Sequence, residues 1–198
     1  MNTTDYVQKL EESIYQKAVD TISSWQENDI YVVSFYFWDD EQNPCKPRLT
    51  IGYNTEEQYE SVLPEVGSNR HDARWNYAWW RQDDTFPEYG SDPESGELIY
   101  QWVMSYGIEY YTDDPPVGGR NWEQYEVVEK VFLEILVRVV QALHKDGVLQ
   151  ARFGKEIPII IHGLEYYDMI LDINLLANGK ELIDKGFVDL CKGRTYRF

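Results

Sequence analysis

Residues 121–147, NWEQYEVVEKVFLEILVRVVQALHKDG, predict the longest helix of the fold. Apolar residues recur three and four positions apart along this stretch, which places them on one face of an α-helix. Asn121 and Gln124 suit its N-terminal cap, and Gly147 suits the position just after its end. The broad apolar face indicates that this helix covers a sheet. The face consists of Val128, Val131, Phe132, Ile135, Leu136, Val139, Val140 and Leu143.

Two stretches in the first half of the chain predict neighbouring strands. Residues 29–40, DIYVVSFYFWDD, are apolar on both faces, which favours a central strand covered on both sides or one that faces a helix. Residues 48–55, RLTIGYNT, alternate apolar and polar positions, as a half-buried strand does. A turn cluster with two prolines separates them, so the pair predicts an antiparallel hairpin. Residues 157–163, IPIIIHG, predict a later, short and buried strand.

Residues 72–82, DARWNYAWWRQ, carry three tryptophans and predict a third early strand. Strand side chains alternate between faces, so Trp75, Tyr77 and Trp79 share one face. Three aromatics opposite a mostly polar face indicate a half-buried strand, and we expect these three to pack against the long helix. Trp80 falls on the polar face, which makes it the aromatic of this stretch that is expected to contact a partner.

The early strands are flanked by helices without regular alternation of the two. We therefore predict one globular α+β domain over residues 1–198, with a small, mostly antiparallel sheet covered by the long central helix and by flanking helices. The segment 83–97 holds six acids and no basic residue, and it is predicted to be an acidic loop. The flanking helices are predicted at 5–26, 55–66 (capped by Thr55 and ended by Pro64), 97–111, 168–179 and 180–191.

The composition is strongly acidic. The 198 residues include 35 Asp and Glu against 18 Lys and Arg, a formal charge of −17. Such a surface repels the phosphates of nucleic acids and anionic membranes, so neither class of partner is expected. The charge suits a cationic partner, and a contribution to solubility alone is the alternative interpretation.

Paired aspartates at the ends of predicted strands and in loops are the candidate partner-binding residues. If these chain segments converge, the paired carboxylates form a negative rim that steers a basic protein towards the surface. A nearby aromatic side chain can then anchor the complex. The predicted partner-binding residues are Trp80, Asp83, Asp84, Asp39, Asp40, Asp113 and Asp114.

A metal site is the alternative functional hypothesis. His162 ends a predicted buried strand, and Glu165 and Asp168 follow closely, so one imidazole and two carboxylates are available to a metal ion in a hydrolase. The spacing matches no established ligand motif, and a histidine that is hydrogen-bonded at the strand end is the alternative interpretation. The chain has no phosphate-loop, dinucleotide-binding or nucleophile-elbow motif. These patterns favour a protein without a cofactor and without catalytic residues.

The sequence also resembles a known family. The N-terminal helix that leads into DIYVVSFYF, the segment RWNYAWW, and the later IPIIIHGLEYYD followed by LLANG are similar to the bacterial domain-of-unknown-function family 4303. The resemblance spans most of the chain and implies a small cytoplasmic α+β domain. Some similar proteins are encoded beside polymorphic toxins, which implies an immunity role. The resemblance implies no catalytic residues.

The expected location follows from the same sequence. The first residues, MNTTDYVQKL, lack the basic and apolar regions of a signal peptide, and no apolar run reaches the ~18 residues that span a bilayer. Cys45 and Cys191 do not form the disulfide framework of a secreted protein. We therefore expect a non-enzymatic cytoplasmic protein that binds a basic partner, such as a toxin domain that it neutralises.

Overall fold

A computed structural model describes residues 2–39, 43, 45–108, 120–164 and 168–193. It confirms the predicted α+β class, because a small, mostly antiparallel sheet lies among helices. The strands are β1 (Ile30–Asp39), β2 (Pro47–Thr55), β3 (Glu88–Tyr89) and β4 (Ile159–His162). The helices are α1 (Thr3–Ser24), α2 (Glu56–Val66), α3 (Arg70–Trp75), α4 (Pro93–Met104), α5 (Arg120–Lys145), α6 (Val148–Phe153), α7 (Asp168–Asn178) and α8 (Lys185–Gly193), with a 3-10 turn at Tyr77–Trp79.

The described strands lie in the order β3-β2-β1-β4. The predicted hairpin is confirmed: β1 and β2 are antiparallel, with Phe35 opposite Ile51. On its other side β1 pairs with β4 in parallel, and β3 adds a short antiparallel pair to β2. The apolar character of both faces of β1 follows from this central position, since side chains on both faces are buried.

The larger hydrophobic cluster lies between one face of the sheet and helices α1, α4 and α5. Val33 and Phe35 of β1 point into it, and Trp102 of α4 is fully buried there. The predicted apolar face of α5 is confirmed: its members are buried in this cluster, with Val131 packed at the edge. Apolar residues at helical spacing in 5–26 also predict a buried stripe, and α1 confirms it with Tyr6 packed at the edge of this cluster. The stripe consists of Tyr6, Leu10, Ile14, Ala18, Ile22 and Trp25.

The smaller cluster covers the opposite face of the sheet. Tyr31 and Val32 of β1 and Ile160 of β4 pack there against α3 and α8, whose contributions include Trp75 and Phe187. The rings of Trp75 and Phe187 meet edge to face, with centroids 6.1 Å apart. Trp75 is therefore buried as expected, but against α8 and on the face of the sheet opposite to α5.

The strand predicted at 72–82 is wrong, because this stretch forms α3, the 3-10 turn and an irregular continuation. Asparagine side chains bond to the backbone there and replace the ladder that a strand would need. Asn69 accepts a hydrogen bond from the amide of Asp72, and Asn76 accepts one from the amide of Ala78. Alternating hydrophobicity alone does not reveal such local bonds.

Two predicted boundaries also change. Pro64 does not end α2, which continues to Val66 with the proline inside its last turns. The acidic loop predicted at 83–97 contains β3 and the first turn of α4. Asp92 caps α4 by accepting hydrogen bonds from two backbone amides, and Pro93 occupies the first helical turn, where no amide donor is needed.

Helix α7 protects the outer edge of β4. The side-chain oxygen of Asn174 accepts a hydrogen bond from the amide of Ile161 at 2.9 Å, and its nitrogen donates to the carbonyl of the same residue at 2.8 Å. Asn178, one helical turn later, makes the same pair of bonds with Ile159. The two asparagines thus make the backbone hydrogen bonds that a further strand would make along this edge.

Of the helices within the described ranges, none has the length and apolar character needed to cross a membrane.

Candidate functional site

A groove of about 320 Å³ lies beside the exposed ends of β1 and β2, on the face of the sheet opposite to α5. We call it the acidic-aromatic groove. Its lining residues are Tyr36, Trp38, Thr50, Tyr77, Arg81, Gln82, Asp83, Asp84, Phe86 and Glu88.

The floor of the groove is aromatic. Tyr36 and Trp38 are two positions apart on β1 and so project from the same face. The rings of Tyr36 and Tyr77 stack with centroids 4.9 Å apart and planes inclined by 21°. The indole N–H of Trp38 donates to the hydroxyl of Thr50 at 3.1 Å, which ties its ring to the neighbouring strand. All three rings are half-buried and keep part of their surface in contact with solvent.

A tight turn carries the acidic wall over the sheet. Both the amide and the hydroxyl of Thr85 donate to one carboxylate oxygen of Asp83, and the amide of Phe86 donates to the Asp83 carbonyl at 3.0 Å. The Phe86 ring lies over Gly52, where a Cβ atom would approach it to 2.7 Å. A glycine at this position of β2 therefore lets the turn close over the strand.

Arg81 organises the charges at the centre of the groove. Its guanidinium donates to Asp83 at 2.8 Å, to the hydroxyl of Tyr53 at 2.8 Å and to Glu27 at 3.3 Å. The Tyr53 hydroxyl in turn donates to Glu27 at 2.5 Å. Hydrogen bonds from Thr85 and then from Arg81 lower the pKa of Asp83 to about 2. Burial, followed by the bond to Glu27, raises the pKa of Tyr53 to about 12.

These contacts leave the groove negatively charged. It is lined by one guanidinium and by the carboxylates of Asp83, Asp84 and Glu88. Because Arg81 is already paired with Asp83, the exposed Asp84 and Glu88 supply the remaining negative potential beside the aromatic floor. A cation is favoured by ring faces and carboxylates together, so the arrangement suits a lysine or arginine side chain.

Arg81 also forms a wall of a second, neighbouring groove of about 570 Å³ towards the end of α1. Glu27, Tyr53 and Asp83 line that groove together with Lys17 of α1. Its charged groups are mixed in sign, and Glu27 and Asp83 are already bonded to Arg81, so it offers a cation less than the acidic-aromatic groove does.

The expectation that Trp80 is exposed is wrong. Only 2% of the surface of Trp80 is exposed to solvent, and its indole N–H donates to the carbonyl of Arg74 at 2.8 Å. Its ring meets the rings of Tyr77 and His162 edge to face. The local helical turn, rather than a strand, rotates Trp80 inwards, so it supports the groove from below and cannot contact a partner directly.

The predicted aspartate pairs are only partly brought together. Asp83 and Asp84 line the groove. Asp39 shares its face of β1 with Val33 and Phe35 and projects towards the α5 side, near Cys45 and Glu129. Burial and then the charge of Glu129 raise the pKa of Asp39 to about 7. Among the described residues, Asp39 is separated from Asp83 and Asp84 by the sheet, so these two parts of the chain do not form one negative rim. The remaining predicted residues, Asp40, Asp113 and Asp114, lie outside the described residues.

His162 does not have the geometry of a metal ligand. It is fully buried, and its Nδ1–H donates to the carbonyl of Gly163 at 2.9 Å. Nε2 then carries the lone pair, which accepts a hydrogen bond from the hydroxyl of Ser34 at 2.8 Å. The neutral, hydrogen-bonded histidine at the strand end is the interpretation that fits this geometry, and burial lowers its pKa to about 4.

Of the other two residues in the metal hypothesis, Glu165 and the side chain of Asp168 lie outside the described residues. Within the described ranges, no group of three or more histidine, cysteine, aspartate or glutamate side chains is arranged to hold a metal ion.

Of the ten residues that line the groove, only Asp83 and Asp84 were predicted as site residues. The eight that were missed include Tyr36, Trp38, Tyr77 and Glu88. The signal for the first two is the strand period, which places Tyr36 and Trp38 on one face near the end of β1. Tyr77 carries no comparable signal, because the 3-10 turn reaches the site through tertiary contacts that a linear pattern does not encode. Glu88 lies in the acidic segment 83–97, but the composition of that segment does not distinguish it from the other acids there.

Comparison with known proteins gives no further constraint: no protein-family model, curated protein or solved structure matches the chain.

Proposed function

We propose that the protein is a non-enzymatic binding protein that takes a basic side chain of a protein partner into the acidic-aromatic groove. The observation that carries this proposal is the meeting of Asp83, Asp84 and Glu88 with an aromatic floor in one groove. Carboxylates by themselves are usually just solvated, and aromatic rings by themselves usually belong to the hydrophobic core. Their combination at an open surface is what a lysine or an arginine recognises.

The groove is organised before a partner arrives. Arg81 is held by Asp83, Glu27 and the Tyr53 hydroxyl, and Trp38 is held by Thr50. A rigid receptor loses little conformational entropy when it binds, which favours affinity. The formal charge of −17 adds long-range attraction for a basic partner and raises the rate of encounter.

An immunity role is the specific form of this proposal. The resemblance to domain-of-unknown-function family 4303, some of whose members are encoded beside polymorphic toxins, supports a basic toxin domain as the partner. Masking the basic surface of such a domain would neutralise it without any catalytic step. The proposed role is cytoplasmic, as that resemblance implies.

The test is the affinity for the protein encoded by the neighbouring gene, measured by isothermal titration calorimetry with two charge-reversed variants. Asp84→Lys combined with Glu88→Lys removes both exposed carboxylates from the groove. We expect the dissociation constant to rise by about tenfold or more, because the groove then repels a cation.

A matched variant controls for the change in net charge. Glu65→Lys combined with Asp189→Lys alters the same formal charge at exposed positions of α2 and α8, outside the groove. This variant is expected to retain the affinity within roughly threefold, as rim charges far from a contact act only weakly. Equal losses in the two double variants would exclude the groove as the binding site, and binding by neither variant nor wild type would exclude the toxin partner.

A further inference from the structure

A second surface with a different character lies between α5 and α7. These helices enclose a largely apolar groove of about 600 Å³, which we call the α5–α7 groove. Leu133, Val137 and Ile173 form its floor, and Met169 and Leu176 stand at its wall. Met169 is 43% exposed, and Leu176, about two turns later on the same face of α7, is 65% exposed.

The spacing of the lining residues matches a third helix. On α5 the lining positions include 130, 133, 137 and 141, and on α7 they are 169, 173 and 176. Intervals of three and four residues form the ridges that receive the side chains of another helix. The lined part of α5, residues 126–141, is about 22 Å long and corresponds to roughly four helical turns.

The two helices are fixed with respect to each other at one end of this groove. The side-chain nitrogen of Gln141 donates to the carbonyl of Leu176 at 3.0 Å. His144, one turn later, lies 3.1 Å from the side-chain oxygen of Asn178. The groove is thus a preformed feature of the fold, which favours the docking of a complementary element.

The charges around the groove define the occupant. Three glutamates, Glu126, Glu129 and Glu134, line it together with Lys130 and Arg138. Arg138 is already bonded to Glu11 of α1, with Nε and Oε2 2.7 Å apart. The exposed Glu126 and Glu134 outnumber Lys130, so the rim is complementary to lysine and arginine beside an apolar stripe.

We propose that the α5–α7 groove binds an amphipathic, basic helix of a partner protein. The apolar face of that helix would pack on Leu133, Val137 and Ile173, and its lysine and arginine side chains would lie against the glutamates of the rim. A second copy of this chain is a poorer occupant, since it would bring a matching acidic rim and a further formal charge of −17 into the interface. This surface is separate from the acidic-aromatic groove, and neither proposal depends on the other.

The experiment uses a fluorescently labelled synthetic helix of roughly 18 residues, with leucines at helical spacing on one face and lysines on the other. Its binding to the full chain is measured by fluorescence anisotropy at about 150 mM salt, where weak long-range attraction is screened. We expect saturable binding of the leucine and lysine helix. Neither a scrambled peptide of the same composition nor a helix of leucine and glutamate should bind in this way.

The decisive variant is Met169→Glu combined with Leu176→Glu. These changes make the protein still more acidic, so non-specific attraction of the lysine helix would rise. Docking through the apolar groove instead predicts roughly a tenfold loss of affinity, because the wall becomes polar. The matched control is Leu164→Glu, which alters an apolar residue of 74% exposure outside the groove and is expected to leave the affinity within roughly twofold.

A second variant guards against misfolding of the first. Glu126→Gln combined with Glu134→Gln changes only exposed side chains, and we expect weaker binding with a smaller dependence on salt. The proposal is overturned if both double variants, checked for folding by circular dichroism, bind the lysine helix as tightly as wild type. It is also overturned if sedimentation shows a wild-type dimer that Met169→Glu with Leu176→Glu dissociates, since the occupant would then be a second copy.

Discussion

Ser34 and His162 form a buried polar pair directly beneath the floor of the acidic-aromatic groove. His162 accepts the Ser34 hydroxyl hydrogen and donates to Gly163, so both ring nitrogens are satisfied within the sheet. The rings of Tyr36 and Tyr77 stand against the imidazole, with centroids 5.5 Å and 4.5 Å away. At the scale of single residues, therefore, a neutral histidine supports the aromatic floor from the interior of the protein.

This burial predicts that acid destabilises the protein through His162. Its pKa is about 4 in the folded state, below the ordinary value of 6.5. Between these values the unfolded state binds more protons than the native state, so the stability present above pH 6.5 is lost as the pH falls towards 4. We expect the free energy of unfolding in urea to fall by about 2 kcal/mol between pH 7 and about pH 4.5 through this group alone.

The variant His162→Gln isolates the histidine contribution. It keeps polar atoms near Ser34 but does not titrate, so the fall in the free energy of unfolding should be smaller than in wild type by that amount. Parallel pH profiles for the two proteins would show that His162 is not neutral and buried as described.

Asp39 predicts a pH effect of the opposite sign. Its pKa is about 7, above the ordinary value of 3.8, because it is half-buried and lies near Glu129. Between these values the native carboxyl holds a proton that the unfolded state lacks, so its contribution to stability decreases as the pH rises through the window. Asp39→Asn should therefore raise the free energy of unfolding at pH 8 by about 2 kcal/mol, allowing for partial solvent contact, and change it little at pH 4.

The matched control for Asp39 is Asp189→Asn, an exposed aspartate of α8. Urea unfolding of the three proteins at both pH values separates the two cases. If Asp189→Asn raises the free energy of unfolding at pH 8 as much as Asp39→Asn does, the stabilisation comes from the change in net charge and not from the half-buried carboxyl of Asp39.

At the scale of elements, α7 and β4 are joined through the two asparagines that bond the strand edge. The variant Asn174→Leu removes the side-chain donor and acceptor that satisfy both backbone groups of Ile161. Buried polar groups left without partners are costly, so we expect a loss of about 3 kcal/mol in the free energy of unfolding. Asp172→Ala, at an exposed position of the same helix, should cost less than about 0.5 kcal/mol. Similar losses in both variants would contradict this role of Asn174.

The elements that the sequence predicted well are those with a single strong period. The apolar stripes of α1 and α5 and the β1–β2 hairpin follow directly from spacing, because each element buries one continuous face. The strand prediction around Trp75 failed because the side chains of Asn69 and Asn76 accept hydrogen bonds from backbone amides. These bonds fold the backbone into short turns. The aromatic pattern of this segment fitted a strand equally well, and only tertiary contacts with α8 distinguish the two.

At the scale of the whole molecule, the two proposed binding surfaces lie on different parts of the fold. The acidic-aromatic groove opens on the sheet face opposite to α5, and the α5–α7 groove lies on that helix. Sequence reasoning found Asp83 and Asp84 because acids in loops are visible in a linear pattern. It did not find their aromatic partners, since Tyr36 and Tyr77 meet only when β1 and the 3-10 turn pack together.

Trp38 lies on the floor of the acidic-aromatic groove, so its indole N–H reports on the proposal that this groove binds a cationic side chain. The chain has seven tryptophans, whose indole N–H signals form a small separate group in a proton–nitrogen correlation spectrum. A blocked peptide of alternating glycine and arginine should shift the Trp38 signal in a saturable way. The signal of the fully buried Trp102 should stay in place. The shift should vanish for a glutamate peptide and for Asp84→Lys combined with Glu88→Lys. An unmoved Trp38 signal, or an equal shift in the charge-reversed variant, would contradict the proposal.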